Sequence, residues 1–232
     1  MRYSANLNII IKALEKASKH ISRDFVEIEN LQSNPATANK FTISCFNRVK
    51  DILISDFAKF RPDFTINFAD GQIIGDPKNS EYHLTIHAID GIENLCRASA
   101  DFTVAIALSH RNNQKLEAIS LAISKVIGGE LFYSEKGFGA YLNNRRIRIS
   151  KRSKALKNDY IIACDDLQYA KNLNFVPRNL GCKTLEISYF SCARIEQLIH
   201  VKSELYEPFL LLTKEAGGIV VDEGQRFIIS NN

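Results

Sequence analysis

Leu84-Thr85-Ile86-His87-Ala88-Ile89-Asp90-Gly91-Ile92-Glu93-Asn94-Leu95 reads as a strand with apolar Leu84 and Ile86 at alternate positions. It stops at an Asp90-Gly91 turn and passes into a helix start. Such a strand end gathers a carboxylate and several free backbone N–H groups, a geometry suited to phosphate held beside a cation. Taken alone, Asp-Gly is first of all a turn dipeptide. What the stretch does therefore depends on what surrounds it.

Upstream, residues from about Leu7 to Phe25 place Ile10, Ile11, Leu14, Ala17, Ile21 and Phe25 on one helix face, opposite Lys12, Glu15, Lys16 and Lys19. The polar stretch from Gln32 to Asn39 breaks this pattern, and a second helix through Val49, Ile52, Leu53 and Phe57 ends at Arg61-Pro62-Asp63. Strand patterns flank the central stretch at Phe64–Phe68, Thr103–Leu108 and Ala118–Ile123, and Glu130–Tyr133 before Gly137–Asn144 reads as two short strands joined by glycine turns. Two helices followed by strands in succession indicate an α+β first half with a largely antiparallel sheet. Further on, Tyr160–Cys164 reads as a strand, Leu185 to about His200 as a helix, and Glu207–Glu215 as another helix capped by Gly217-Gly218. Ile219–Val221 and Phe227–Ile229 close the chain as strands.

At 232 residues the chain can bury a sizeable core. No run of about 18 apolar residues would span a bilayer, and the start lacks the layout of a signal peptide, so a soluble, cytoplasmic protein with no membrane partner is expected. Cys45, Cys96, Cys164, Cys182 and Cys192 are scattered and odd in number, which argues against a disulfide framework or a zinc site. A formal charge of +4 does not announce a nucleic-acid binder, but its distribution is uneven. Between Arg145 and Lys157 stand Arg145, Arg146, Arg148, Lys151, Arg152, Lys154 and Lys157, with no acid. Such a stripe suits a phosphate backbone or an acidic protein face. It equally suits a solvated edge strand whose charges prevent pairing with another chain. No aromatic residue interleaves the basic ones, so the sequence gives no sign of base stacking.

Laid out in order, the chain resembles the inositol monophosphatase family, including its bacterial SuhB-type members. The resemblance rests on Ile89-Asp90-Gly91 with Asn94, on Glu135-Lys136-Gly137-Phe138-Gly139-Ala140-Tyr141-Leu142-Asn143, on Glu215-Ala216-Gly217-Gly218, and on the paired N-terminal helices before a Pro-Asp segment. It implies an α/β fold, a layered α+β sandwich of alternating helix and sheet layers. The implied organisation is an N-terminal half over 1–148, with the metal and phosphate motif, and a smaller half over 149–232, in one compact unit. It also implies magnesium-assisted hydrolysis of a small phosphate monoester such as inositol 1-phosphate, a homodimer, and no organic cofactor.

Position by position, much of that chemistry is missing. The family's metal-binding Glu falls on Ala69, beside Asp70; the first Asp of its motif falls on His87, while the second is kept as Asp90. Ile89 would supply a backbone carbonyl ligand, and Gly91 and Ile92 would offer backbone N–H groups to phosphate. The water-activating Thr and Asp fall on Ile92 and Cys45, and the last metal-binding Asp on Leu205. A rearranged site could draw on Asp70, His87, Asp90 and Glu204 or Glu207. Against it, Asp70 as a strand neighbour of Ala69 would point to the opposite face, and Glu204 would lie about 100° around a helix from Leu205, with Glu207 further still. Imidazole at His87 suits Zn²⁺ or Mn²⁺ better than Mg²⁺, and a strand histidine bonded to a neighbour is the plainer reading.

The expectation is a family member with impaired catalysis that binds a protein or nucleic acid. Its candidate contacts are Arg145, Arg146, Arg148, Lys151 and Arg152, and the SuhB-type resemblance implies a transcription-machinery protein or RNA as partner. An active metal-dependent phosphomonoesterase is the alternative, and a regulatory binder of small phosphates the third reading.

Overall fold

The computed structural model describes residues 4–152, 160–166, 169 and 177–231. Helix α1 (Ala5–Asn30) starts at Ser4, whose hydroxyl accepts from the Leu7 N–H at 3.1 Å. It buries Leu7, Ile10, Leu14, Ala17, Ile21, Phe25 and Ile28 along one stripe, each large side chain worth about 1.5–3 kcal/mol of burial. Helix α2 (Pro35–Phe60) packs on it and begins earlier than the apolar pattern predicts. The polar stretch holds the start signals: Asn34 Oδ1 accepts from the Thr37 N–H at 3.2 Å, and Pro35 fills the first turn.

Strands β1 (Thr65–Phe68), β2 (Ile73–Ile74), β3 (Tyr82–Asp90), β4 (Thr103–Asn112), β5 (Lys115–Lys125), β6 (Glu130–Glu135), β7 (Gly139–Leu142) and β8 (Arg145–Ile147) form one sheet. Its order is β2-β1-β3-β4-β5-β6-β7-β8, antiparallel except for β1 with β3. The single-turn helix α3 (Ile92–Cys96) links β3 to β4. A smaller sheet, in the order β11-β12-β10-β9, comprises β9 (Ile162–Cys164), β10 (Gln197–Val201), β11 (Ile219–Asp222) and β12 (Arg226–Ser230). Between its strands in sequence lie α4 (Lys183–Ser191) and a 3₁₀ turn (Glu207–Phe209) that runs into α5 (Leu210–Glu215).

Both faces of the large sheet are buried, as strict side-chain alternation requires. Val104, Ile106, Leu108, Ala122 and Tyr133 face α1 and α2. Ala105, Ala107, Leu121, Ile123 and Phe132 face Ile187 and Phe190 of α4, Leu212 of α5, and Leu198 and Ile229 of the small sheet. The layers therefore run helix, sheet, helix, sheet, the α/β sandwich expected from the resemblance.

The helix expected from Leu185 to His200 is two elements. It ends at Ser191; Ala193 takes a left-handed φ of 65°, and the Arg194 N–H returns to the Tyr189 carbonyl at 2.8 Å. Residues from Gln197 then pair with β9 and β12. The apolar run looked helical because both faces of β10 are buried: Leu198 packs between the sheets, and Ile199 packs with Tyr160 and Ile162 on the outer side. Among the described residues no helix is long and apolar enough to cross a membrane.

Candidate functional site

A pocket of about 510 Å³ opens at the C-terminal end of β3. Ala69, Asp70, His87, Asp90, Ile92, Lys183 and Tyr206 are among the residues that line it. In a regular strand His87 and Asp90 would point to opposite faces. A register shift between them, a β-bulge, re-aims the strand end so that both reach the pocket. Gly91 follows at φ 79°, and a Cβ there would stand 3.0 Å from the Asp101 carbonyl oxygen and 3.0 Å from Cys182 Cβ. Only glycine fits that approach.

The oxygens of Asp90 are engaged within the protein. Oδ1 accepts from the Tyr206 hydroxyl at 2.9 Å; Oδ2 accepts from the Thr184 N–H at 2.8 Å, the Thr184 hydroxyl at 2.7 Å and the Cys182 thiol at 3.4 Å. Helix α4 has no side-chain cap of its own at Cys182. Asp90 supplies one from the other sheet, placing negative charge against the first free N–H groups of the helix. Thr103 extends the network from β4, its hydroxyl 2.5 Å from that of Thr184. Burial, with the nearby Asp90 carboxylate, raises the pKa of Cys182 well above the ordinary thiol value, and the same two causes in the same order raise that of Tyr206.

His87 is 3% exposed. Its Nε2 lies 3.0 Å from the Leu205 carbonyl, which can only accept, so that nitrogen carries the proton. The ring lies tilted by 35° against Tyr206, centroids 4.4 Å apart, and meets Phe209 edge-on at 5.3 Å. Burial pushes its pKa down, against a smaller upward pull from Asp90. Strand β1 ends at Phe68, so the alternation expected to turn Asp70 away from Ala69 does not apply, and both residues line the pocket. The Asp70 carboxylate is bound by the Lys50 ammonium, which also lies 4.8 Å from the Phe68 ring centroid, and by the Gln72 N–H at 3.2 Å. Burial would raise the Asp70 pKa; the Lys50 hydrogen bond and the Gln72 N–H outweigh it, and the pKa falls below the usual value. Lys183 pairs with Asp165 at 2.6 Å.

Magnesium needs several oxygen donors converging with free lone pairs. Here Ala69 and Leu205 bring no side-chain donor, Asp70 is tied to Lys50, the Nε2 of His87 to a carbonyl, and Asp90 to Tyr206 and Thr184. Among the described residues no group of three His, Cys, Asp or Glu side chains could hold a metal ion. The donor set does not fit magnesium. Cys45 is fully buried between α1 and α2, where burial and then Asp24 push its thiol up to about 12. Ile89 and Ile92 line the pocket, the latter opening the five-residue helix α3.

Glu204 and Leu205 lie in a turn rather than on a helix, so the angular argument against Glu204 does not hold. Glu204 and Glu207 instead line a separate groove of about 830 Å³ beside His83 and Arg111. Glu215 braces the glycine turn after β6, accepting from the Gly137 and Gly139 N–H groups at 2.7 Å each. Arg145, Arg146, Arg148 and Lys151 are exposed at the β8 edge. Arg152 reaches inward to the buried carboxylate of Glu196 at 2.7 Å. Lys154 and Lys157 lie outside the described residues.

The sequence reading missed Thr184, Tyr206, Lys50 and Lys183. No local pattern marks them, since each meets its site partner only through the fold.

No protein-family model matches the chain. Over its whole length it is 27% identical to an inositol-1-monophosphatase of Mesorhizobium japonicum, covering 91% of that protein. It is 25% identical to the Nus factor SuhB of Vibrio cholerae over 93% of this chain and 84% of the relative. Its fold superposes on the extragenic suppressor protein SuhB of Bartonella henselae with a TM-score of 0.82 at 24% identity, covering 100% of this chain and 95% of the other. With the inositol monophosphatase of Anabaena the TM-score is 0.73 at 20% identity, covering 97% and 90%. The chain is thus similar end to end to inositol monophosphatases and to SuhB proteins, and it is built on the fold they share.

Proposed function

We propose that this chain keeps the phosphatase fold without its metal-assisted hydrolysis and acts by binding a macromolecular partner, a protein or a nucleic acid. The observation that carries the reading is the state of Asp90. Its carboxylate serves as the cap of α4 and the acceptor for Tyr206, so a metal would have to share it with four donors already in place. Removing several members of one catalytic unit abolishes its benefit rather than trimming it, and the replacements at Ala69, His87, Ile92 and Leu205 remove several. The relatives named Nus factor SuhB favour a partner in transcription.

The test is phosphate release from inositol 1-phosphate and p-nitrophenyl phosphate, scanned over Mg²⁺, Mn²⁺ and Zn²⁺, against Asp90→Asn and Asp70→Asn. We expect no metal-dependent turnover above the two variants. Turnover present in the native chain and lost in either variant overturns the reading.

A further inference from the structure

We propose that the β8 edge is a binding surface for single-stranded nucleic acid, with Phe138 as its stacking platform. This rests on the partner-binding reading above and names the partner and the place. Arg145, Arg146, Arg148 and Lys151 are all exposed. None makes an ion pair within 4.0 Å among the described residues, whereas Arg48, Lys50, Arg194 and Arg226 are each paired. Strand β8 is the last of the large sheet, so nothing in the sheet covers that side. Arg146 and Arg148 are both exposed on either side of half-buried Ile147, and two residues of extended chain span about 6.6 Å. That spacing is comparable to successive phosphates of an extended single strand. Arginine suits the task because its planar fork binds phosphate oxygens in pairs.

The chain order alone separates these bases from any aromatic, but the fold does not. The β6–β7 turn projects Phe138, 72% exposed, the most exposed of the large apolar side chains described. Register pairs Tyr141 with Arg146, and the Arg146 guanidinium lies 3.1 Å from where a Cβ of Gly139 would stand, against the residue next to Phe138. Glu215 holds the two glycine amides that flank Phe138, and the Tyr141 hydroxyl donates to the Phe138 carbonyl at 3.2 Å. An apolar ring on a braced turn, next in the chain to the glycine that the Arg146 guanidinium lies against, offers a base a face to stack on while its phosphates meet charge. An acidic protein segment would use the charges but not the ring.

The experiment is fluorescence anisotropy of the full chain with a labelled 12-nucleotide oligouridine, a 12-base-pair RNA duplex and poly-glutamate, over a salt series. Variants are Arg145→Gln/Arg146→Gln/Arg148→Gln/Lys151→Gln, its Arg→Lys counterpart at the three arginines, and Phe138→Ala, each checked for native circular dichroism. We expect single-strand binding with a log–log salt slope of about −2.8 for four phosphate contacts. The glutamine variant should abolish it and the lysine variant largely keep it, while Phe138→Ala weakens it about tenfold or more with the slope unchanged. No oligouridine binding, binding that survives the glutamine variant, or preference for poly-glutamate or duplex independent of Phe138 each overturns the proposal. Phosphatase turnover measured on the same preparation tests the parent reading separately.

Discussion

Asp90 joins the end of β3 to α4 and to Tyr206 through one buried carboxylate. It accepts from three donors at 2.9 Å or closer, and one of them is a helix N–H. Hydrogen bonds to a charged group contribute about 1.5–3 kcal/mol each, and stranding buried donors adds to the cost. Asp90→Ala should therefore lower unfolding stability by about 3 kcal/mol or more, and Tyr206→Phe by about 1–2 kcal/mol, read as shifts in the urea midpoint. A ligand that binds only the folded state raises the melting temperature in proportion to its occupancy. Millimolar Mg²⁺ or its removal with EDTA should leave the melting temperature of the native chain unchanged.

At the scale of elements, the motifs that match the family best prove to be braces. Glu215, near the end of α5, ties that helix to the β6–β7 turn through Gly137 and Gly139. Glu215→Ala leaves both amides without that acceptor and should cost about 2–3 kcal/mol, with hydrogen exchange accelerated at Gly137 and Gly139. Most elements were legible from local signals. The stripe of α1, the alternation of β4 and β5, and the glycine turn after β6 are written in neighbouring residues. Two of the misreadings share one cause, a local signal overridden by its surroundings. Burial of both faces of β10 mimicked a helix, and the polar start of α2 hid a cap.

The whole molecule holds two imidazoles in the neutral form. Burial lowers the pKa of His87 against the pull of Asp90; burial, helped by Arg111, lowers that of His83 against the Ser80 carbonyl. In the unfolded chain both take up a proton near the ordinary 6.5. Below that pH the unfolded state binds more protons, so stability is lost as pH falls, and above it the contribution is complete. The urea midpoint should drop between pH 7.5 and 5.5, and His83→Gln/His87→Gln should flatten that part of the profile. The sequence by itself determined the layered α/β class and the order of nearly all elements. These depend on periodicity, turn chemistry and residue identity, which neighbours along the chain carry. Only the tertiary structure decided that Asp90 caps α4, that Lys50 engages Asp70, that Arg152 turns inward, and that the Arg146 guanidinium lies against Gly139. The partners of Asp90 stand 94 and 116 residues away, and a contact across such a distance exists only after both sheets have packed against the helices between them.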